Sequence, residues 1–461
     1  MQDQRIASLL QEAGLHAPDI EAIIAGDDPI LPTPFHIGGA AATALGACGV
    51  AAAALWQERT GESQTVYVDI ARATATLISA FLLRLDGQPV LPQDYRSRGN
   101  PLVTFYRCRD GRWIHLHGAL QHLATGTLKV LNCGPDREQI SAAVSRWDSI
   151  ALEDALADAG MCGAVVRSTQ EWLATPQGQA LSTFGRIKID KIGASAPEPV
   201  GDRRRPLGGV RVLDLTRILA GPTIGRILAE HGAHVMLVNS PHLQNSMPFV
   251  IDTGHGKRSV YLDLANAAQA QRLRKLAATA DVFVQGYRTG TLAKRGFDPQ
   301  GLATARPGMI YVTINCYGNV GPWQHRPGWE QLAQTVSGLA HVQGTAEHPQ
   351  LLPAAANDYI TGQLGALGVM AALYRRMHEG GSYHVQVSLC QTANWLVSLG
   401  ADCDRNLAQG LDTSTVAPWM DTTETRFGQL TYLAPVAQLS ATPGYYFRPV
   451  VPLGYDLASW D

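Results

Sequence analysis

The chain is short of charge, of aromatic residues and of paired cysteines. Only 16 % of its 461 residues are charged and 7 % are aromatic. Lys and Arg number 37 against 39 Asp and Glu, a net charge of −2. No global basic field is available to hold nucleic acid or an anionic membrane, so neither is expected as a partner. Seven cysteines occur, an odd number, with no Cys-x-x-Cys pair. That excludes a regular disulfide framework and the usual structural zinc spacing. Residues 1–15 lack a signal-peptide pattern, and a cytoplasmic protein with reduced thiols is expected. Walker, GxGxxG, HExxH and GxSxG patterns are all missing, which removes the commonest nucleotide, metalloprotease and serine-hydrolase readings. His115 and His117 alternate on a strand without a third ligand nearby, so no metal is expected. The longest small-apolar run, at 37–56, is interrupted by glycines and reads as a packed helix and not as a membrane span.

What is present is a large apolar reserve. Hydrophobic residues make up 46 %, enough for two or three packed domains. Punctuation divides the chain into five stretches. Residues 1–100 hold an N-terminal helix, then a helix over 36–59 and a strand at 65–70. Residues 101–182 begin with a hairpin at 104–117 turned by Asp110-Gly111 and form a small α+β domain. Residues 183–206 carry Pro, Ala, Ser and the run Arg203-Arg204-Arg205, and read as a linker. From 207 to 400 strands and helices alternate, as in a Rossmann-like α/β domain with a parallel sheet. Residues 401–461 read as a C-terminal tail.

The chain also matches itself. Leu45-Gly-Ala-Cys-Gly-Val50 aligns with Leu364-Gly-Ala-Leu-Gly-Val369. The same register then pairs Gly61 with Gly380, Val66 with Val385 and Val68 with Val387. A helix, its glycine stop and a strand in one register point to a partial internal duplication.

Two acidic residues draw attention in the second half. Glu330 follows a Gly/Pro-rich turn and opens a helical run. Asp358 lies at the start of the second repeat helix, where free backbone amides favour a carboxylate. A plain helix cap and a carboxylate nucleophile both fit. In the repeat register Gly39 stands where Asp358 stands, consistent with one site per chain. Lys257 and Arg258 follow a Gly-rich turn, where amides and two cations could meet a phosphate or simply face solvent.

Several strings together make the chain identifiable. They are 209–222 (ending Leu-Ala220-Gly221-Pro222), Gly256-Lys-Arg-Ser at 256–259, and Asp-Val-Phe-Val-Gln-Gly-Tyr-Arg at 281–288. Tyr317-Gly-Asn-Val-Gly-Pro322, Asn357-Asp-Tyr-Ile-Thr-Gly362 and 380–389 complete the set. In this order they resemble the family III CoA-transferases, the group that includes formyl-CoA transferase and carnitine CoA-transferase. The first half resembles the later part of that family, so the chain reads as a back half followed by a front half. The resemblance implies CoA transfer from an acyl-CoA to a small carboxylic acid, with no permanently bound cofactor. Asp358 would be the nucleophile that carries covalent intermediates, and Glu330 a second carboxylate beside it. Ala220, Gly221, Pro222, Lys257, Arg258, Tyr287, Arg288, Lys294 and Gly318 would lie along CoA. The family forms interlocked dimers, so a homodimer is expected. Racemases of 2-methylacyl-CoA share the fold and carry a histidine just before the carboxylate matching Glu330. Trp329 stands there in this chain, which makes racemisation the second reading. A CoA-binding protein without turnover is the third. His255 and His325 flank the candidate strings and read as loop residues.

Overall fold

The computed structural model describes residues 3–16, 20–91, 99–199 and 204–460. An N-terminal unit comes first. Helix α1 (Gln4–Glu12) packs on helix α2 (Ile37–Thr60), and strand β1 (Ala22–Ala25) pairs in parallel with β2 (Val66–Asp69). A three-stranded antiparallel sheet follows in the small domain, from β3 (Val103–Arg107), β4 (Trp113–His117) and β5 (Gly163–Val165). The expected hairpin at 104–117 is therefore present.

The 183–206 stretch is not a plain linker. Residues Lys188–Gly193 form β6, which pairs antiparallel with a later strand and closes one edge of the main sheet. Ile189 aligns with Val385 there, so the edge gains a packed apolar residue that Pro and Gly counting overlooks. Residues 200–203 lie outside the described part.

The main sheet then builds from β7 (Arg211–Leu215), helix α3 (Ala220–Glu230), β8 (His234–Asn239), β9 (Lys257–Tyr261), β10 (Val282–Gln285) and β11 (Ile310–Asn315). Helix α4 (Glu330–Ser337), helix α5 (Ala356–Glu379) and β12 (Ser382–Ser388) follow. Its strand order is β9-β8-β7-β10-β11-β12-β6, parallel except for β6. The fold is α/β, with the Rossmann-like sheet after the small domain. The chain winds outward from β7 in one direction, then returns to β10 on its other side. That reversal leaves a crevice beyond the carboxyl ends of β7 and β10, where doubly wound sheets bind ligands.

Residues 401–460 are not a loose tail either. Met420–Thr425 and Gly428–Leu433 form a hairpin against Arg84–Leu85, and β13 (Gln438–Leu439) pairs with β2. Leu430 and Leu439 are buried by these contacts, which ties the chain's end to its beginning.

The repeat read from sequence coincides with two equal pieces of structure. Helices α2 and α5 each have 24 residues, and one constant offset carries Ile37 to Ala356 and Thr60 to Glu379. Both end at a glycine with positive φ, Gly61 at 79° and Gly380 at 59°, a conformation costly for other residues. Gly49 approaches Val66 as Gly368 approaches Val385, with room for no side chain at either. The two helices also pack against each other, and the Cys48 thiol donates to the Gln363 carbonyl at 3.2 Å. By length and composition α2 could cross a membrane, but 94 % of its apolar window is buried inside the protein.

The contact between α3 and α5 depends on Gly362. A Cβ there would stand 2.6 Å from the Ala220 carbonyl oxygen and 2.6 Å from Thr223 Cβ. Backbone cannot yield as a side chain can. Gly362→Ala is expected to cost about 1–3 kcal/mol by overpacking, read as a lower midpoint in urea unfolding. An unchanged midpoint would contradict the close approach.

Candidate functional site

The first turn of α5 is built around a carboxylate from another helix. Glu330, the first residue of α4, is 4 % exposed. Its Oε2 accepts the Asp358 backbone N–H at 2.6 Å and its Oε1 that of Asn357 at 3.2 Å. Gln334, one turn later on α4, donates to Oε1 at 2.6 Å and accepts from the Leu352 N–H at 2.7 Å. Free amides at a helix start attract negative charge, so this arrangement follows from α5 itself. It fixes the position of Asp358, whose half-buried side chain lines a cavity of about 80 Å³.

Burial dominates the electrostatics. It raises the Glu330 carboxyl to about 7 against hydrogen bonds that pull it down. Asp358 is also raised, first by burial and then by the charge of Glu330. Two carboxylates in one low-dielectric place cannot both ionise freely.

The rest of that cavity comes from the sheet's switch-point loops. Thr216, Arg217 and Ile218 follow β7, Gly286 follows β10, and Asn315 and Cys316 lie at the end of β11. Ala220 and Gly221 open α3 on the same cavity, and Gly221 is required because a Cβ would meet Thr216 Cβ at 2.4 Å. Ile218 has φ 72°, a strained setting for a β-branched residue and one typical of functional loops. A larger cavity of about 210 Å³ shares Arg217, Ile218, Gly286, Asn315, Cys316, Gly328 and Trp329 with the first. It reaches to Tyr287, Arg288 and Arg326, and to Leu120, His122, Leu123 and Cys162 of the small domain. Trp329 connects the two domains, since its indole stacks on the His117 ring at 5.4 Å.

Asp358, Glu330, Ala220, Gly221, Tyr287 and Arg288 therefore come together. Others in the expected set do not. Lys257 is the main correction: its side chain is 1 % exposed, and Nζ donates to Asp214 at 2.8 Å and to the Pro222 carbonyl at 2.6 Å. It cannot meet a phosphate, and instead ties the start of α3 to β7 through a buried ion pair. Pro222 lies just behind the cavity wall and serves through that carbonyl. Arg258 is on edge strand β9 and donates to the Ser459 carbonyl at 3.0 Å, away from both cavities. Lys294 is exposed on the turn Ala293–Arg295 and lines neither. Gly318 faces Leu181 in a separate small cavity. His255 is buried between Tyr432 and Tyr446, with ring centroids at 4.1 and 5.1 Å, and His325 is exposed and off the cavities. Sequence reasoning missed Arg217, Ile218 and Gln334. Arg217 had a usable signal, a charged residue just past a buried strand at a switch point.

Comparison with known proteins bears on the family. The sequence profile of the family described as CoA-transferase family III matches residues 24–198 and 207–412. An acyl-CoA transferase of Gibberella moniliformis is 33 % identical over 408 residues, 79 % of this chain and 71 % of its own length. The acetyl-coenzyme A transferase nodX of Hypoxylon pulicicidum is 35 % identical over 64 % of this chain and 54 % of that protein. A succinate–glutarate CoA-transferase of Agrobacterium fabrum is 31 % identical over 43 % and 56 %. The chain thus spans about half the length of the last two. Among solved structures, the Mycobacterium tuberculosis protein Rv3272 is 34 % identical over 42 % of this chain and 58 % of that one, with a TM-score of 0.40. The chain belongs to CoA-transferase family III, and it is an enzyme of that type.

The raised Glu330 carboxyl has a stability consequence with a definite sign. The folded state holds its proton more tightly than the unfolded chain does between pH 4.5 and about 7. Stability from this group is therefore present at low pH and lost as pH rises through that window. Glu330→Gln is expected to match the wild type near pH 5 and to exceed it at pH 8 by on the order of 2–3 kcal/mol. Urea unfolding at both pH values measures this, and a constant difference would contradict it.

Proposed function

We propose that the enzyme moves CoA from an acyl-CoA to a carboxylic acid through covalent intermediates on Asp358. The observation that carries this reading is the placement of Asp358. It is the sole carboxylate among the described residues lining the switch-point cavity, with its backbone held by Glu330. An Asp358 oxygen attacks the thioester carbonyl and expels CoA thiolate, leaving a mixed anhydride. The thiolate attacks the aspartyl carbonyl, releases the first acid and forms an aspartyl–CoA thioester. The acceptor carboxylate displaces thiolate from that thioester, giving a second anhydride. Thiolate attack on its acyl carbonyl frees the new acyl-CoA and regenerates Asp358. Each step exchanges one activated acyl bond for another, so a carboxylate suffices as nucleophile. Ala220 and Gly221, which open helix α3, line the same cavity, and the free amides of a helix start suit the tetrahedral oxyanion. Arg288, on the outer cavity, suits a CoA phosphate. Trp329 supplies no base for proton transfer at the α-carbon, which counts against racemisation. No resident cofactor enters this scheme.

We also infer that β1–α2–β2 and β11–α5–β12 are two copies of one unit. Both are parallel strand–helix–strand pieces, and their helices and second strands share one offset. The first copy repeats the carboxylate arrangement as well. Asp28 accepts the Gly38 N–H at 3.1 Å and the Gly39 N–H at 2.7 Å, as Glu330 accepts those of Asn357 and Asp358. With Gly39 in the nucleophile's place, one chain carries one catalytic centre. Homodimer formation and a cytoplasmic location complete the proposal.

Asp358→Ala should abolish CoA exchange, measured by liquid chromatography of acyl-CoA products, while CoA affinity stays within about twofold of wild type. Retained exchange would end the assignment. Glu330→Gln removes the like charge that raises Asp358, so the acidic limb of the pH–rate profile should move to lower pH. An unmoved limb would mean that Glu330 does not govern the nucleophile's ionisation.

A further inference from the structure

We infer that Asp252 is a positioning residue of the transferase, whose carboxylate bridges helices α3 and α5 and holds their two starts at the separation the reaction at Asp358 needs. The inference rests on the reading of Asp358 as nucleophile.

Helices α3 and α5 pack against each other, and both open on the inner cavity, α3 with Ala220 and Gly221 and α5 with Asp358. Attack on a thioester carbonyl needs the nucleophile and the amides that receive the oxyanion at one fixed separation. Apolar packing is non-directional and brings the helices together without choosing that separation. Hydrogen bonds do choose, because they hold one geometry. Asp252, on the helix Met247–Thr253, supplies them. Its Oδ1 accepts from Arg226 Nη1, on α3, at 3.1 Å. Its Oδ2 accepts from the hydroxyl of Tyr359, the residue after Asp358, at 2.9 Å. One carboxylate therefore holds one helix by each oxygen.

The bridge is part of a closed ring. Ser79 Oγ donates to the Tyr359 hydroxyl at 3.1 Å and accepts from Arg226 Nη1 at 3.4 Å. The Ala80 N–H, at 3.4 Å, takes the remaining lone pair of the same hydroxyl. Burial, and after it the charge of Asp252, push the Tyr359 phenol up, so it stays the donor. Ser79, Arg226, Asp252 and Tyr359 are all buried, where such networks are rigid and costly to break. The first turn of α5 is thus held twice, by Glu330 at the amides of Asn357 and Asp358 and by Asp252 at the Tyr359 phenol. Neither Asp252 nor Tyr359 lines the two joined cavities, so the pair acts through the placement of Asp358. Ser79 belongs to the N-terminal unit, which the ring seats against the catalytic helix.

Steady-state CoA exchange in Tyr359→Phe, Asp252→Asn and the double variant tests this. Tyr359→Phe removes one hydroxyl and keeps the ring, and Asp252→Asn keeps the shape and removes the charge. Each should lower kcat about tenfold and leave KM for acyl-CoA within about twofold, the pattern of a misplaced nucleophile behind an intact binding site. The double variant should be no slower than the slower single one, because both changes cut the same bond. A purely structural role would lower the melting temperature and leave kcat per folded chain unchanged, so thermal melts accompany the rates. If Asp252→Asn unfolds once Arg226 loses its counter-charge, Tyr359→Phe decides by its own kcat and KM. Wild-type kcat in Tyr359→Phe would overturn the inference, and so would fully additive losses in the double variant. Asp358→Ala, run in parallel, separates two failures. If it still exchanges CoA, the nucleophile reading falls and this inference with it. If it is inactive while Tyr359→Phe keeps full kcat, only this inference falls.

Discussion

A carboxylate with no cationic partner among the described residues sits at the centre of this structure. Glu330 is buried, and what holds it are two amides of α5 and the side chain of Gln334. Helix α5 can bring its largely buried first turn to the cavity because those amides have found an acceptor. The arrangement is costly, since burial drives the carboxyl toward neutrality. It is also what a reactive aspartate requires, because a fixed amide direction fixes the side chain that follows it. The N-terminal unit shows the same solution with Asp28, whose carboxyl is also raised by burial. There the helix start is held just as firmly and no side chain projects from it, because residue 39 is glycine.

The surrounding fold serves to aim loops at that point. Parallel strands β7, β10 and β11 end together, and their following loops form three walls of the cavity. Lys257 bonds both Asp214 on β7 and the first turn of α3, so the helix start cannot drift from the strand that carries Arg217. A buried ion pair of this kind contributes little net stability but is strongly destabilising when one partner is lost. The small domain closes the far side through Leu120, Leu123 and the His117–Trp329 stack.

Much of this was legible in the residues. The alternation after residue 207 gave the parallel sheet, and glycines 61 and 380 marked the ends of both long helices at their observed positions. Asp358 and Glu330 were visible as acids at helix starts, although only the fold brings one onto the other's amide. The errors have physical causes. Lys257 and Arg258 adjoin in sequence, but on a strand they face opposite ways, and neither points at the crevice. Strand β6 and the tail hairpin are polar edge pieces whose alternation is weak, so neither stood out as a strand, and beside β6 the Pro, Ala, Ser and arginine run read as a linker. Arg217 stands inside the 209–222 string and was passed over, because its place at the cavity depends on where the loop after β7 turns.

Covalent chemistry on Asp358 is open to mass spectrometry after incubation with acyl-CoA donors. Hydroxylamine trapping followed by peptide mapping should place one hydroxamate per chain on the peptide containing Asp358, and none on the peptide containing Asp28 and Gly39. Exchange of CoA between acids with no trapped adduct, or with an adduct on another residue, would contradict the account.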